Sequence, residues 1–170
     1  AGSHYVKSDM EGIYKQVELY LKSGRKLLFI GLPCQVAGLK KYVNSRFQDQ
    51  LYTIDLICHG SPSPKILERY LAQNDVDISK VSNISFRQKT KFGILVDCRY
   101  VDVPGACDAY TLGFLNCLFY TKNCYQCQYA KLERISDITL GDSWGTELPK
   151  ERLNKGLSLV LCQTRKVKNC

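Results

Sequence analysis

Residues 26–35 read KLLFIGLPCQ and residues 51–64 read LYTIDLICHGSPSP. Each opens on an apolar, partly β-branched run and closes on turn formers with a cysteine among them. Short apolar runs bounded by glycine and proline predict buried strands, here Lys26–Ile30 and Leu51–Ile57. Helical spacing follows each of them. Val36, Leu39 and Val43 mark a helix after the loop Gly31–Cys34. Ile66, Leu67, Tyr70 and Leu71 mark another after Ser61–Pro64, where Pro64 suits the first helical position. Upstream, Ser8-Asp9-Met10-Glu11 has the form of a capping box, and Met10, Ile13, Tyr14, Val17, Tyr20 and Leu21 recur at helical spacing up to Gly24. The order α-β-α-β-α predicts an α/β fold whose βα units build a mainly parallel sheet.

The rest of the chain extends that sheet less regularly. Val81–Arg87 and Ile94–Val103 read as strands of an antiparallel extension. Asp108–Tyr120 reads as a helix carrying Leu112, Leu115 and Phe119, and Cys124–Arg134 as a polar loop. Ser136–Leu140 and Leu157–Thr164 read as two more strands. With no internal repeat, low-complexity tract or linker, residues 1–170 are expected to form one domain. At 170 residues such a domain buries about 70% of its unfolded surface.

The net charge is +8, from 24 Lys and Arg against 16 Asp and Glu. A basic surface suits anionic partners: nucleic acid, a phosphorylated cofactor or an acidic protein. The basic residues are scattered, only 165–168 is locally dense, and no nucleic-acid motif is present, which argues against nucleic acid. No apolar run approaches the ~20 residues of a membrane span. The chain has nine cysteines, an odd number, and no secretion signal. That argues against a disulfide framework and for a reducing, cytoplasmic compartment in which some cysteines bind a metal or cluster. The chain does not begin with methionine, and an excerpt of a longer protein is expected.

In a parallel sheet the loops after the strands share one edge, and ligands bind in the crevice there. Cys34 and Cys58 therefore face one crevice. Cys124-Tyr125-Gln126-Cys127 is a CxxC, whose tight turn aims two sulfurs at one centre. Four thiolates suit a 4Fe-4S cluster or a zinc ion, although two isolated cysteines plus one pair fit a zinc ribbon poorly. A redox dithiol is the rival for the CxxC. For Cys98, Cys107, Cys117, Cys162 and Cys170 the expected role is that of a small buried hydrophobe. His59 is a ligand, a base beside Cys58, or a hydrogen-bonding residue of the crevice. Residues 136–145, SDITLGDSWG, end a strand in Gly-Asp. The glycines there allow close approach of a ligand, Asp142 is placed for a polar cofactor contact, and Trp144 is core or site.

The segments GLPCQVAGLK, YTIDLICHGSPSPK, NCYQCQYAKLERISDITLGDSWG and KGLSLVLCQT, in this order and with the opening GSHYVKS, resemble the coenzyme F420 hydrogenase/dehydrogenase beta-subunit family over nearly the whole chain. The resemblance implies an oxidoreductase that carries FAD and a 4Fe-4S cluster and passes electrons between them. A ferredoxin, a hydrogenase or dehydrogenase subunit, or a deazaflavin coenzyme is then the redox partner. It implies that Cys34, Cys58, Cys124 and Cys127 hold the cluster, and that Ser3, Tyr5, Ser8, Gly31, Lys131 and Asp142 contact the flavin. Ser8, read as a helix cap, also suits a phosphate. Many relatives carry an N-terminal ferredoxin-like segment, and the chain is expected to be an excerpt without it. Departures from the family pattern, Ser143 in Gly-Asp-Ser-Trp-Gly and Gln88 in Phe-Arg-Gln-Lys, bear on the substrate. The alternatives are a cofactor-free scaffold subunit and a structural zinc-binding module.

Overall fold

The structure is a computed structural model that describes residues 5–88, 91–143, 145–153 and 156–168. Ser3, Trp144 and Cys170 lie outside the described residues. In chain order the elements are α1 (Ile13–Lys22), β1 (Leu27–Gly31), α2 (Pro33–Tyr42), β2 (Leu51–Leu56), α3 (Pro64–Gln73), β3 (Ile84–Gln88), β4 (Lys91–Val96), β5 (Arg99–Tyr100), α4 (Ala109–Leu115), α5 (Lys122–Tyr125), β6 (Ile138–Asp142), α6 (Lys150–Leu153), β7 (Ser158–Cys162) and α7 (Arg165–Lys168). They cluster into two compact units. One comprises Asp9–His59 and Gln128–Cys170, the other Ala1–Ser8 and Gly60–Cys127.

The first unit is built on a sheet of order β1-β2-β6-β7. β1, β2 and β6 run parallel, and β7 returns antiparallel to β6. The α/β reading with a mainly parallel sheet therefore holds. α1 and α2 cover one face, where Val17, Leu21, Phe29, Val36, Leu39, Val43, Phe47 and Leu51 form the core. Each fully buried leucine there contributes about 1.5–3 kcal/mol. Among the described residues of this unit the other face stays open. Register puts Leu28, Ile30, Ile54, Leu56, Leu140 and Val160 on it. Leu28 is 54% exposed, Ile30 60% and Val160 52%. Parallel sheets ordinarily carry helices on both faces. Here the helix that follows β2 in sequence, α3, belongs to the second unit.

The second unit holds an antiparallel sheet of order β3-β4-β5. Leu67, Tyr70 and Leu71 of α3, Phe86, Ile94 and Tyr110 form its core. Tyr5 joins it, its ring 5.6 Å from Phe86 and 4.8 Å from Phe114 between centroids.

Three expectations are corrected. The first helix begins at Ile13, because Gly12 takes a left-handed φ of 71° as its N-cap. The Asp9 carboxylate instead accepts the Glu11 N–H at 2.9 Å. The strand expected over Ile94–Val103 is a hairpin. Asp97 and Cys98, both at positive φ (47° and 68°), turn the chain between β4 and β5. The helix expected over Asp108–Tyr120 ends at Leu115, after Asp108 caps it by accepting the Thr111 N–H at 2.7 Å.

Candidate functional site

Strands β1, β2 and β6 end together. Gly31 pairs with Asp55 and Leu56 with Leu140, so Gly31, Leu56 and Asp142 mark one carboxyl edge of the sheet. Cys34 follows as the second residue of α2 and is exposed. Its turn is fixed from both sides. The Leu32 N–H donates to Gln35 Oε1 at 2.8 Å, and the Tyr14 hydroxyl donates to the Gln35 carbonyl at 2.8 Å. Burial raises the Tyr14 phenol above its usual range, and the nearby Cys34 adds to that.

Cys58, also exposed, stands two residues beyond β2. The chain leading to it is pinned to β6, since the Ile57 N–H donates to the Leu140 carbonyl at 2.8 Å. A Cβ on Gly141 would lie 2.6 Å from Ile57 Cδ1. The close approach that this glycine permits is thus to Ile57, where a ligand was expected. His59, Asp142 and Lys131 are exposed. Gly31 is half-buried, and a Cβ there would meet the Phe29 ring at 2.8 Å. Ser8 is exposed and lies five residues before α1, so the helix-cap argument for a phosphate does not apply to it. Tyr5 is half-buried and packs against the aromatic core of the second unit.

Arg134 is a residue that the sequence reading passed over. Its side chain is 8% exposed and sits beside the fully buried Asp55, with Nη2 3.5 Å from Oδ1. Nη2 also donates to the Leu56 carbonyl at 3.1 Å. Nη1 donates to the carbonyls of Tyr129 at 3.0 Å and Lys131 at 3.3 Å, and Nε to Thr139 Oγ1 at 3.3 Å. Thr139 in turn donates to Asp55 Oδ1 at 2.5 Å. A signal was present in the sequence: an arginine before the strand ITLGD and an aspartate inside the strand LYTIDL are two charges placed at a sheet interior.

The CxxC lies in the second unit. Thr121 is the N-cap of the one-turn α5, and its Oγ1 sits 3.2 Å from Cys124 Sγ. Tyr125, between the cysteines, donates to the Cys117 carbonyl at 2.8 Å and accepts the Tyr120 N–H at 3.1 Å. The Thr121 N–H donates to the Ser61 carbonyl at 3.0 Å. Gly60 (φ 139°) packs so closely on Tyr120 that a Cβ would lie 2.5 Å from the ring. The CxxC is therefore anchored to the chain that begins two residues after Cys58. Cys124 is half-buried and Cys127 exposed.

The structure thus brings Cys34 and Cys58 to one sheet edge, and Cys124 and Cys127 to one turn of the other unit. Among the described residues no group of three or more His, Cys, Asp or Glu side chains is arranged to hold a metal ion. Cys98, Cys107, Cys117 and Cys162 are exposed, against the expectation that they are buried. Cys98 and Cys117 occupy positive-φ turn positions, which project from the surface.

The family described as the C terminus of the coenzyme F420 hydrogenase/dehydrogenase beta subunit matches residues 24–170. The chain belongs to this family. The beta-subunit family is one of hydrogenase and dehydrogenase components, which places the chain among oxidoreductase proteins. No curated protein matches the chain. A solved structure, described as the xenon-derivatised F420-reducing NiFe hydrogenase complex from Methanosarcina barkeri, is similar in fold. It shows a TM-score of 0.62 and 19% identity over 99% of this chain, and the match spans 54% of that longer chain. Among the described residues no helix is long and apolar enough to cross a membrane.

Proposed function

We propose that this beta-subunit domain passes electrons between a 4Fe-4S cluster held by Cys34, Cys58, Cys124 and Cys127 and an FAD. A deazaflavin, a ferredoxin or a hydrogenase or dehydrogenase subunit then exchanges electrons with the flavin, in the cytoplasm. The observation that carries the reading is the emergence of Cys34 and Cys58 from neighbouring parallel strands at one carboxyl edge. That is where open α/β sheets bind ligands. The donor set fits the group. Four thiols, three exposed and one half-buried, offer the soft sulfur ligation that iron–sulfur clusters take. When bound, the cluster supplies one-electron steps and FAD couples them to two-electron exchange.

The chain's own residues have definable tasks. Gln35 and Tyr14 hold the turn that presents Cys34. The Ile57–Leu140 hydrogen bond directs Cys58, and Thr121 and Tyr125 hold the CxxC turn. Gly31, Asp142 and Lys131, with Ser3, Tyr5 and Ser8, are proposed for the flavin side, the first two because they share the sheet edge with Cys34 and Cys58. The net charge of +8 suits an acidic redox protein or an anionic cofactor.

The test is serine substitution at each of the four cysteines in protein purified without oxygen. Each variant is expected to lose most of its iron and its visible absorbance. Four variants with wild-type iron content overturn the proposal.

A further inference from the structure

We infer that Arg134 is the positioning residue that sets the exit of Cys58 from β2 and the path of the chain from Tyr129 to Arg134. One guanidinium joins two stretches of backbone through three carbonyls. It bonds the Leu56 carbonyl, two residues before Cys58, and the carbonyls of Tyr129 and Lys131. The planar fork with five donors makes this possible, because several acceptors at fixed angles are met at once, which an ammonium on a flexible stem does not do. The fork is itself held. Asp55, with no exposed side-chain surface, faces it at 3.5 Å, and Thr139 Oγ1 accepts from Nε while donating to Asp55. Asp55 Oδ2 is buried with no hydrogen-bond partner among the described residues. Arg134 is the charge in direct reach of this buried carboxylate, and its loss would leave Asp55 with the Thr139 hydroxyl and the charge of Lys40.

The consequence for chemistry rests on the cluster reading above, while the clasp itself does not. Leu56 is held by Arg134 on one side, and Ile57 by the Leu140 carbonyl on the other. The thiol of Cys58 leaves from that doubly fixed point. The same guanidinium fixes Lys131, proposed for the flavin side, through its carbonyl.

The experiment compares wild type with Arg134→Lys and Arg134→Gln in the metal-free chain. Hydrogen exchange is read over residues 56–60 and 129–133, with α1 as reference, and Cys58 alkylation is timed against Cys162. Arg134→Gln is expected to speed exchange in both segments about tenfold or more, as local opening without global unfolding does. Cys58 alkylation changes and Cys162 alkylation does not. Arg134→Lys is expected to show the same pattern at smaller amplitude. It also decides the matter if the Gln variant opens everywhere. Exchange unchanged in both segments, or a uniform rise with Lys, overturns the inference. Iron bound on anaerobic reconstitution separates the two readings. The local pattern with an iron-free wild type removes the cluster and leaves the clasp. Iron retained in full by Arg134→Gln, with no local pattern, removes the clasp and leaves the cluster.

Discussion

Asp137 is buried immediately before β6 and is held by three donors. The Thr53 N–H and Oγ1 reach its Oδ2 at 2.7 and 2.8 Å, and Thr164 Oγ1 reaches Oδ1 at 2.8 Å. Burial pushes the carboxyl up, but hydrogen bonds from Thr164 and Thr53, with the charge of Lys40, bring it below its usual 3.8. A depressed folded pKa means that the stabilisation is complete above the unfolded value, near pH ~4, and is lost as pH falls through the folded one. Urea unfolding of wild type is therefore expected to weaken below about pH 4. Asp137→Asn is expected to flatten that dependence and to cost about 1–3 kcal/mol at pH 7, since an amide cannot accept all three bonds. An acid limb of unchanged slope in the variant would contradict this assignment. At Gly60 the limits are steric. With φ at 139° and Tyr120 2.5 Å from a would-be Cβ, Gly60→Ala is expected to destabilise by about 1–3 kcal/mol. Thermal melting checks it, and a variant as stable as wild type would mean that the Tyr120 packing is dispensable. Residues of this kind showed in the sequence at most as charges in or beside a strand, with no partner named. Arg134, Asp55 and Asp137 acquire meaning only when residues some 80 positions apart meet, as Thr53 and Asp137 do (84 positions).

At the scale of elements, β1, β2, α2 and α3 were legible within one to three residues, and the parallel pairing of β1 with β2 followed from their alternation with helices. The facing of β2 was not. LYTIDL buries Leu51, Thr53 and Asp55 and turns Tyr52, Ile54 and Leu56 the other way. The interior of the covered face is thus partly polar, with Thr53 bonded to Asp137 and Asp55 facing Thr139 and Arg134. Leu51 apart, the apolar residues of β2 lie on the open face. Boundaries failed where one residue took an unusual backbone conformation, as at Gly12, Asp97 and Cys98. The dense basic tail, read as surface charge, has Lys166 turned inward to donate to the Leu51 carbonyl at 3.2 Å and to the Gln48 carbonyl. The open face predicts that Ile30→Lys, at an edge strand and 60% exposed, changes stability by no more than about 0.5 kcal/mol. It should lower binding of a hydrophobic dye. A loss above about 2 kcal/mol, the cost of removing a core side chain, would show that the face is covered in solution.

For the whole molecule, the class of fold was legible because it follows from the order of elements, and the family because a set of motifs recurs in order across residues 24–170. The cofactors are a different matter, since a thiol at a sheet edge carries the same atoms whether it holds iron, zinc or nothing. The central claim is the cluster with its flavin. One measurement tests it most directly: the absorbance spectrum of protein purified without oxygen, with iron, sulfide, zinc and flavin assayed on the same sample. The account predicts a brown protein with about four irons and four sulfides per chain and a flavin band beside the cluster absorbance. A colourless protein, whether it carries zinc or no metal at all, would contradict it.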